Sequence, residues 1–302
     1  GQGSSVDDAL NENPGLTGAE LKFESDTIQD KYAKTCHNQL LSLYAYQLGT
    51  DGKIIENSGI DLSGNLKGNK IEWQSPAEGN WIVTQVYSVA KKPSLDPMHP
   101  LSGKNYVKHF FQRFEDRFPE QSKGGLNFFF SDELNFNLQG NIWNDIFRDE
   151  FMRRKGYDIL PQIDALFVDL GDSSVKVRMD YNDVRVALSE ENFFIPVYEW
   201  HQRRGLLFGC DHGGRGRDVG EFGDYFRTQR WNQAPGCDQP MLQKDIIKNK
   251  VASSISHLYE RQRVWLEGFH SSEWSTNSAQ LTDAIFALSL IHISEPTRLQ
   301  LI

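Results

Sequence analysis

Three short apolar runs, each ending in a polar, acid-bearing cluster and separated by segments of helical periodicity, limit this chain more than any other feature of its sequence. Residues 126–130 lead into Ser131-Asp132-Glu133, residues 205–209 into Cys210-Asp211-His212, and residues 263–266 into Glu267-Gly268-Phe269-His270. Before the first run, Tyr106, Val107, Phe110, Phe111 and Phe114 recur at helical spacing, with Ser102 suited to cap that helix and Phe118-Pro119 to end it. After it, Ile142, Ile146, Phe147 and Phe151 repeat the pattern up to Gly156, a residue suited to the left-handed turn that closes a helix. A long helix is expected over about 181–204, kinked or split at Pro196, because proline lacks the N–H and clashes with the preceding turn. Another is expected near 245–261. Runs that are apolar throughout, without alternation, are strands covered on both faces, and such strands alternating with helices form parallel sheets. The expected fold class is therefore α/β, an incomplete (β/α)8 TIM-type barrel occupying residues 1–287 as one large domain.

The N-terminal third reads differently. A weakly periodic segment from Leu21 and Phe23 to Tyr32 is read as one helix. Residues 40–48 then read as an aromatic-rich strand that Asp51-Gly52 turns back into Lys53-Ile54-Ile55. Residues 70–73 and 81–89, rich in β-branched and aromatic side chains, are expected to pair across a turn at 76–79. A β-hairpin-rich insertion over about 40–90 follows. At the other end, Leu288-Ser289-Leu290-Ile291-His292-Ile293-Ser294-Glu295-Pro296-Thr297-Arg298 resembles translated sequencing-adapter DNA. Residues 288–302 are therefore expected to be a non-native, adapter-like read-through tail, and the chain a fragment interrupted before its barrel is complete.

Charge and composition narrow the partners. The net charge of −9, with no basic run longer than Arg153-Arg154-Lys155, argues against a phosphate-backbone footprint, so no nucleic acid is expected. No stretch approaches the roughly 20 apolar residues that cross a bilayer, so no membrane is expected either. The first residues, Gly1-Gln2-Gly3-Ser4-Ser5, carry no signal peptide pattern. Cys36, Cys210 and Cys237 are too few and too scattered for a disulfide framework or a thiolate zinc site. Seven Trp and ten Tyr in an acidic chain suit a cleft that stacks on sugar rings as well as they suit an ordinary core.

Catalytic groups on a (β/α) barrel sit at the carboxyl ends of its strands, where all three clusters fall. Hydrolysis of a glycosidic bond takes one carboxylic acid to protonate the leaving oxygen and one carboxylate to activate water or attack the sugar, roles that suit Glu133 and Glu267. The alternative is that each caps the following helix or pairs with an arginine. Asp132, Asp211, His212, His270 and Trp274 are candidate substrate-binding residues, and Asp96 and His99 candidate cleft residues, by position after strand-like segments. The Gly-rich stretch 211–224 is dense in oxygen ligands of the kind calcium prefers. Its spacing is not that of helix-loop-helix calcium sensors and Arg215 and Arg217 would repel a cation, so a solvated substrate loop is the other reading. No nucleophile elbow, P-loop or dinucleotide fingerprint stands in the right context, which counts against acyl and phosphoryl transfer.

Together these motifs resemble glycoside hydrolase family 106. The matches run in order over about residues 37–286. They comprise Ile71-Glu72-Trp73 with Pro76-Ala77-Glu78-Gly79-Asn80-Trp81-Ile82-Val83, then Leu95-Asp96, then Phe129-Phe130-Ser131-Asp132-Glu133. Next come Phe147-Arg148-Asp149-Glu150-Phe151-Met152-Arg153-Arg154-Lys155-Gly156-Tyr157-Asp158, Gly220-Glu221-Phe222, Ala252-Ser253-Ser254 with His257, and Leu266-Glu267-Gly268-Phe269. The resemblance implies an inverting α-L-rhamnosidase acting on terminal α-L-rhamnosides, with Glu133 as general acid and Glu267 as general base. It further implies a calcium ion near the sugar with Glu221 as ligand, a rhamnose-containing oligo- or polysaccharide as partner, and a periplasmic or secreted parent protein. Two departures, Gly223 where the family usually has Trp and Gly268 where it often has Ala, bear on the exact sugar more than on the reaction. The rival readings are a retaining glycosidase, with carboxyls roughly 5–5.5 Å apart instead of roughly 6.5–9.5 Å, and a non-catalytic carbohydrate-binding or inert fragment.

Overall fold

The computed structural model describes residues 2–121, 124, 125, 127–213, 218, 220–239, 246–269 and 272–289. In chain order its elements begin with α1 (Gln2–Glu12), β1 (Thr17–Ile28), β2 (Lys31–Thr35), β3 (Leu40–Gln47), β4 (Ile60–Asp61), β5 (Leu66–Lys67), β6 (Lys70–Gln74) and β7 (Trp81–Leu95). There follow α2 (Ser102–His109), α3 (Phe111–Arg117), β8 (Phe128–Leu134), β9 (Ile142–Trp143), α4 (Phe147–Lys155), α5 (Ser173–Ser189) and α6 (Ile195–Arg204). The remainder is β10 (Leu207–His212), α7 (Tyr225–Gln229), β11 (Ala234–Gln239), α8 (Ile246–Leu258), β12 (Trp265–Gly268) and α9 (Ser278–Ser289). Two compact units result, one of Thr17–Asp96 with Asn137–Arg185, the other of Gly1–Leu16, Pro97–Phe136 and Val186–Ile302.

The first unit is antiparallel. Its five-stranded sheet has the order β4-β3-β7-β1-β9 and its three-stranded sheet the order β2-β6-β5. The long strand β7, dense in β-branched residues, pairs with β1 from Ala19–Ala90 to Ile28–Trp81 and with β3 from Ser42–Val86 to Gln47–Trp81. Leu43, Ala45, Ile71, Trp81 and Val83 bury the inner face. Asp164 is buried beside that sheet, where Tyr46 donates to it at 2.9 Å and Thr84 at 2.7 Å. Residues 21–28 and 31–32 are thus strand, not helix, because every residue of β1 from Ala19 to Ile28 finds a ladder partner on β7 and a weak helical period cannot compete with that pairing. Residues 70–73 and 81–89 do not pair with each other as expected. β6 goes to β2 and β5, and β7 to β1 and β3. Likewise Ile142 and Trp143 form β9 on the edge of β1, so the helix expected from Ile142 starts only at Phe147. It ends as expected at Gly156, whose φ of 79° is left-handed.

The second unit holds a parallel sheet of order β12-β11-β10-β8, four strands among the described residues. Phe129 on β8 turns to the helical side, where Phe111 meets it and Phe208 edge-on at 5.3 Å, with Trp200 and His201 of α6 around them. Its neighbours Phe128 and Phe130 point the other way and stay 41% and 48% exposed, so the coverage of both faces inferred from the apolar run does not hold for β8. On that open face Phe130 stacks on Trp265 at 5.1 Å, over glycines rather than side chains. A β-carbon on Gly236 would stand 2.5 Å from the Cys210 carbonyl oxygen and 2.7 Å from the Trp265 ring. Gly236→Ala must therefore shift strand backbone, and urea unfolding should show a loss of about 1–3 kcal/mol, the usual cost of overpacking. A loss below about 0.5 kcal/mol would mean the sheet relaxes freely there.

The expected incomplete (β/α)8 barrel with a hairpin-rich insertion is corrected by these sheets. The antiparallel strands begin at Thr17, take in residues 137–185 and form a compact unit of their own, while the parallel part is an open four-stranded sheet. Apolar runs identify parallel strands, but closure also needs strand number, tilt and stagger that agree, which no single run encodes. The tail from residue 290 lies outside the described residues.

The helix expected over about 181–204 does break near Pro196. α5 ends at Ser189, a π-type turn spans Glu190–Phe194, and Pro196 lies in the first turn of α6, where its missing N–H costs least.

Candidate active site

Each strand of the parallel sheet ends in an acid. Asp132 and Glu133 close β8, Asp211 closes β10, Asp238 closes β11 and Glu267 lies in β12. The two glutamates singled out from sequence stand on the two edge strands, with the two aspartates on the central strands between them. Asp238 is the direct neighbour of Glu267 in the β11–β12 register. Asp132 and Glu133 are exposed, Glu267 half-buried, and Asp211 and Asp238 buried. In parallel sheets the carboxyl ends of the strands are where ligands sit, since the loops that follow are free to vary there.

The electrostatics follow from that crowding. Burial, reinforced by Asp132 and Asp238, pushes the Asp211 carboxyl up to about 7, against the pull of the Glu133 N–H, which donates to Asp211 Oδ1 at 2.9 Å. Next to it His212 is buried outright, its ring among Phe194, Phe222 and Tyr225 and its Nε2 2.9 Å from Thr228 Oγ1. Burial holds it down to about 3, so it is neutral and belongs to the wall of the site. The Cys210 thiol is pushed well up by burial and stays protonated.

Helix α7 locks these strand ends in place. Asp224 caps it by accepting from the Arg227 N–H at 3.0 Å, and Gln229 Nε2 donates to the Cys210 carbonyl at 3.0 Å. Behind it Glu190, buried in the π-type turn, receives Arg227 Nε at 2.9 Å, Arg230 Nη2 at 2.6 Å and Trp231 Nε1 at 2.9 Å.

The other expected residues are spread more widely. Glu221 lies beside the end of β10, its Oε1 3.4 Å from where a β-carbon on Gly213 would be. Trp274 is fully exposed in the connection from β12 to α9. His270, Arg215 and Arg217 lie outside the described residues. Asp96 is buried in the antiparallel unit and accepts from Asn144 Nδ2 at 2.7 Å, while His99 belongs to the other unit and accepts from the Leu101 N–H at 3.1 Å. Calcium needs six to eight oxygens. Among the described residues no group of three or more His, Cys, Asp or Glu side chains is arranged to hold an ion, so carboxylates alone do not supply that number here.

The sequence profile described as alpha-L-rhamnosidase, glycoside hydrolase family 106, matches residues 6–288. The chain belongs to that family. Family 106 membership thus covers both units and all the strand-end acids. A similar solved structure is that of a rhamnosidase from Novosphingobium sp. PP1Y, with a TM-score of 0.58 and 20% identity. The match covers 79% of this chain and 25% of that one, so the likeness is one of fold and the chain spans about a quarter of that protein's length. No curated protein matches the chain. No described helix is long and apolar enough to cross a membrane.

Sequence reasoning missed one acid of this candidate site, Asp238. Its strand reads Ala-Pro-Gly-Cys-Asp-Gln, with no apolar run and two strand-breaking residues, although all six side chains are buried. The only trace was the length of chain left unassigned between the Gly-rich stretch 211–224 and the helix expected near 245–261.

Proposed function

We propose that this chain forms part of the catalytic unit of an α-L-rhamnosidase that removes terminal α-L-rhamnose from rhamnose-containing oligo- or polysaccharides with inversion. Glu133 is the general acid and Glu267 the general base. The observation that carries the reading is the placement of both at the carboxyl ends of one parallel sheet, on its opposite edges. Three strand steps of about 4.8 Å separate their backbones by roughly 14 Å. Two glutamate side chains reaching across that gap favour the wider carboxyl separation, which leaves room for a water, over the close one that a covalent intermediate requires.

In this arrangement Glu133 protonates the glycosidic oxygen as the bond to the anomeric carbon breaks. Glu267 takes a proton from the water that attacks the opposite face, and Asp132 meets a sugar hydroxyl. Calcium and export of the parent protein belong to the proposal through the family resemblance alone. The test is to follow, by NMR, the first sugar anomer released from an aryl α-L-rhamnoside. β-L-Rhamnose is expected first. Release of the α-anomer first would overturn inversion, and no release above the spontaneous rate would overturn the enzymatic reading.

A further inference from the structure

Strands β8 and β10 stay in register from Phe128–Leu207 to Ser131–Cys210 and then slip, the next pair being Leu134 with His212. Two residues, Asp132 and Glu133, therefore face the single residue Asp211, which is the geometry of a β-bulge. Within it Glu133 takes a φ of 45°, in the left-handed region that a β-carbon disfavours and that persists only where the surroundings enforce it. Two bonds do so. The Glu133 N–H donates to Asp211 Oδ1 at 2.9 Å, and just beyond, the Gly213 N–H donates to the Leu134 carbonyl at 3.1 Å. A bulge leaves one backbone donor without its ladder partner, and here a buried side chain supplies the acceptor. Asp211 is fully buried, and its Oδ2 makes no hydrogen bond among the described residues, so this carboxyl was not placed there to satisfy a wider polar network.

We propose that Asp211 is the positioning residue of Glu133: its Oδ1 holds the bulge, and thereby sets the direction in which the Glu133 side chain leaves the strand. The inference rests on the reading of Glu133 as general acid.

Among the described residues the groups that face Asp211 are Asp132 and Glu133 from β8, Asp238 from β11, Tyr225 from α7 and Cys210 from its own strand, none of them a cation. Its carboxyl is held up to about 7 against an ordinary value of 3.8, burial being the main cause. The folded state therefore binds this proton more tightly than the unfolded chain does. The stability so conferred is present at low pH and is lost as pH rises through about 7. The bond from Glu133, in contrast, strengthens as the acceptor becomes charged.

The experiment compares Asp211→Asn, which keeps Oδ1 as an acceptor, with Asp211→Ala, which removes it. It reads amide hydrogen exchange at Glu133 by NMR, kcat and KM on an aryl α-L-rhamnoside across pH, and melting at about pH 5 and about pH 8. Asp211→Ala should speed Glu133 exchange and lower kcat by about tenfold or more, the worth of one hydrogen bond to a charged acceptor, with KM little changed. Asp211→Asn should retain slow exchange and most of kcat, and should lose the fall in melting temperature that the parent shows between the two pH values. Unchanged exchange in Asp211→Ala, or equal losses in both variants, would overturn the inference. Should Asp211→Ala fail to melt cooperatively, Asp211→Asn decides alone: fast exchange at Glu133 there would refute it. If Glu133→Gln leaves kcat intact, the acid assignment fails instead, while the exchange data still judge the clamp.

Discussion

Glu133→Gln should lower turnover of an aryl α-L-rhamnoside by about 10²–10⁴-fold, the range typical of losing a positioned general acid. Gln keeps the shape of Glu and can occupy the bulge on β8, whose backbone bond to Asp211 uses the Glu133 N–H and not its side chain. The loss is then one of chemistry and not of fold. Leaving-group ability separates this glutamate from its partner. An aglycone that departs readily as an anion needs little protonation, so it should recover much of the activity of Glu133→Gln. Glu267→Gln should stay slow with every aglycone, because it lacks the group that activates water. Equal recovery of both variants would exchange or abolish the assigned roles.

Glu190→Ala should cost on the order of 3–5 kcal/mol in urea unfolding, the size expected when one partner of a buried ion cluster is removed. Glu190 is 3% exposed and gathers Arg227, Arg230 and Trp231 around one carboxylate. Without it two guanidiniums and an indole N–H lose the carboxylate they share. Arg227 and Arg230 keep about a third of their side chains in water, 28% and 32%, which places the effect toward the lower end of that range. Glu190→Gln should recover part of the loss, because its carbonyl oxygen can still accept from Trp231. A loss under about 1 kcal/mol, typical of a surface pair, would show that solvent already screens the cluster.

Several parts of this architecture were legible as residues in a row. Phe128, Phe129 and Phe130, and Leu207 with Phe208, announce strands because nothing polar interrupts them, and the acids that follow announce strand ends. Gly156 and Pro196 mark a helix end and a helix interruption because each has only one comfortable backbone role. The failures share a cause. β1 mixes Lys22, Glu24 and Asp26 with Leu21 and Phe23, so its identity depends on β7, some sixty residues away. β11 is buried by its neighbours and not by its own hydrophobicity, and that hid Asp238. The bulge at Glu133 depends on the offset between two strands, which no local pattern carries.

The π-type turn at Glu190–Phe194 has a last consequence. Before it α5 buries Val177, Tyr181, Val184, Val186 and Leu188, and after it α6 buries Val197, Trp200 and His201. A π-type turn holds one residue more than an ordinary α turn, and the helix absorbs that surplus at Glu190–Phe194 without ending. Chain length at this point is therefore a phase setting. Deleting a single residue between 190 and 194 would remove that surplus and leave an ordinary α turn with the direction of α6 kept, whereas inserting one more would turn α6 by about 100°. The insertion would bring Glu199 to the place of Trp200 beside Phe111 and carry His201 to the exposed place of Gln202.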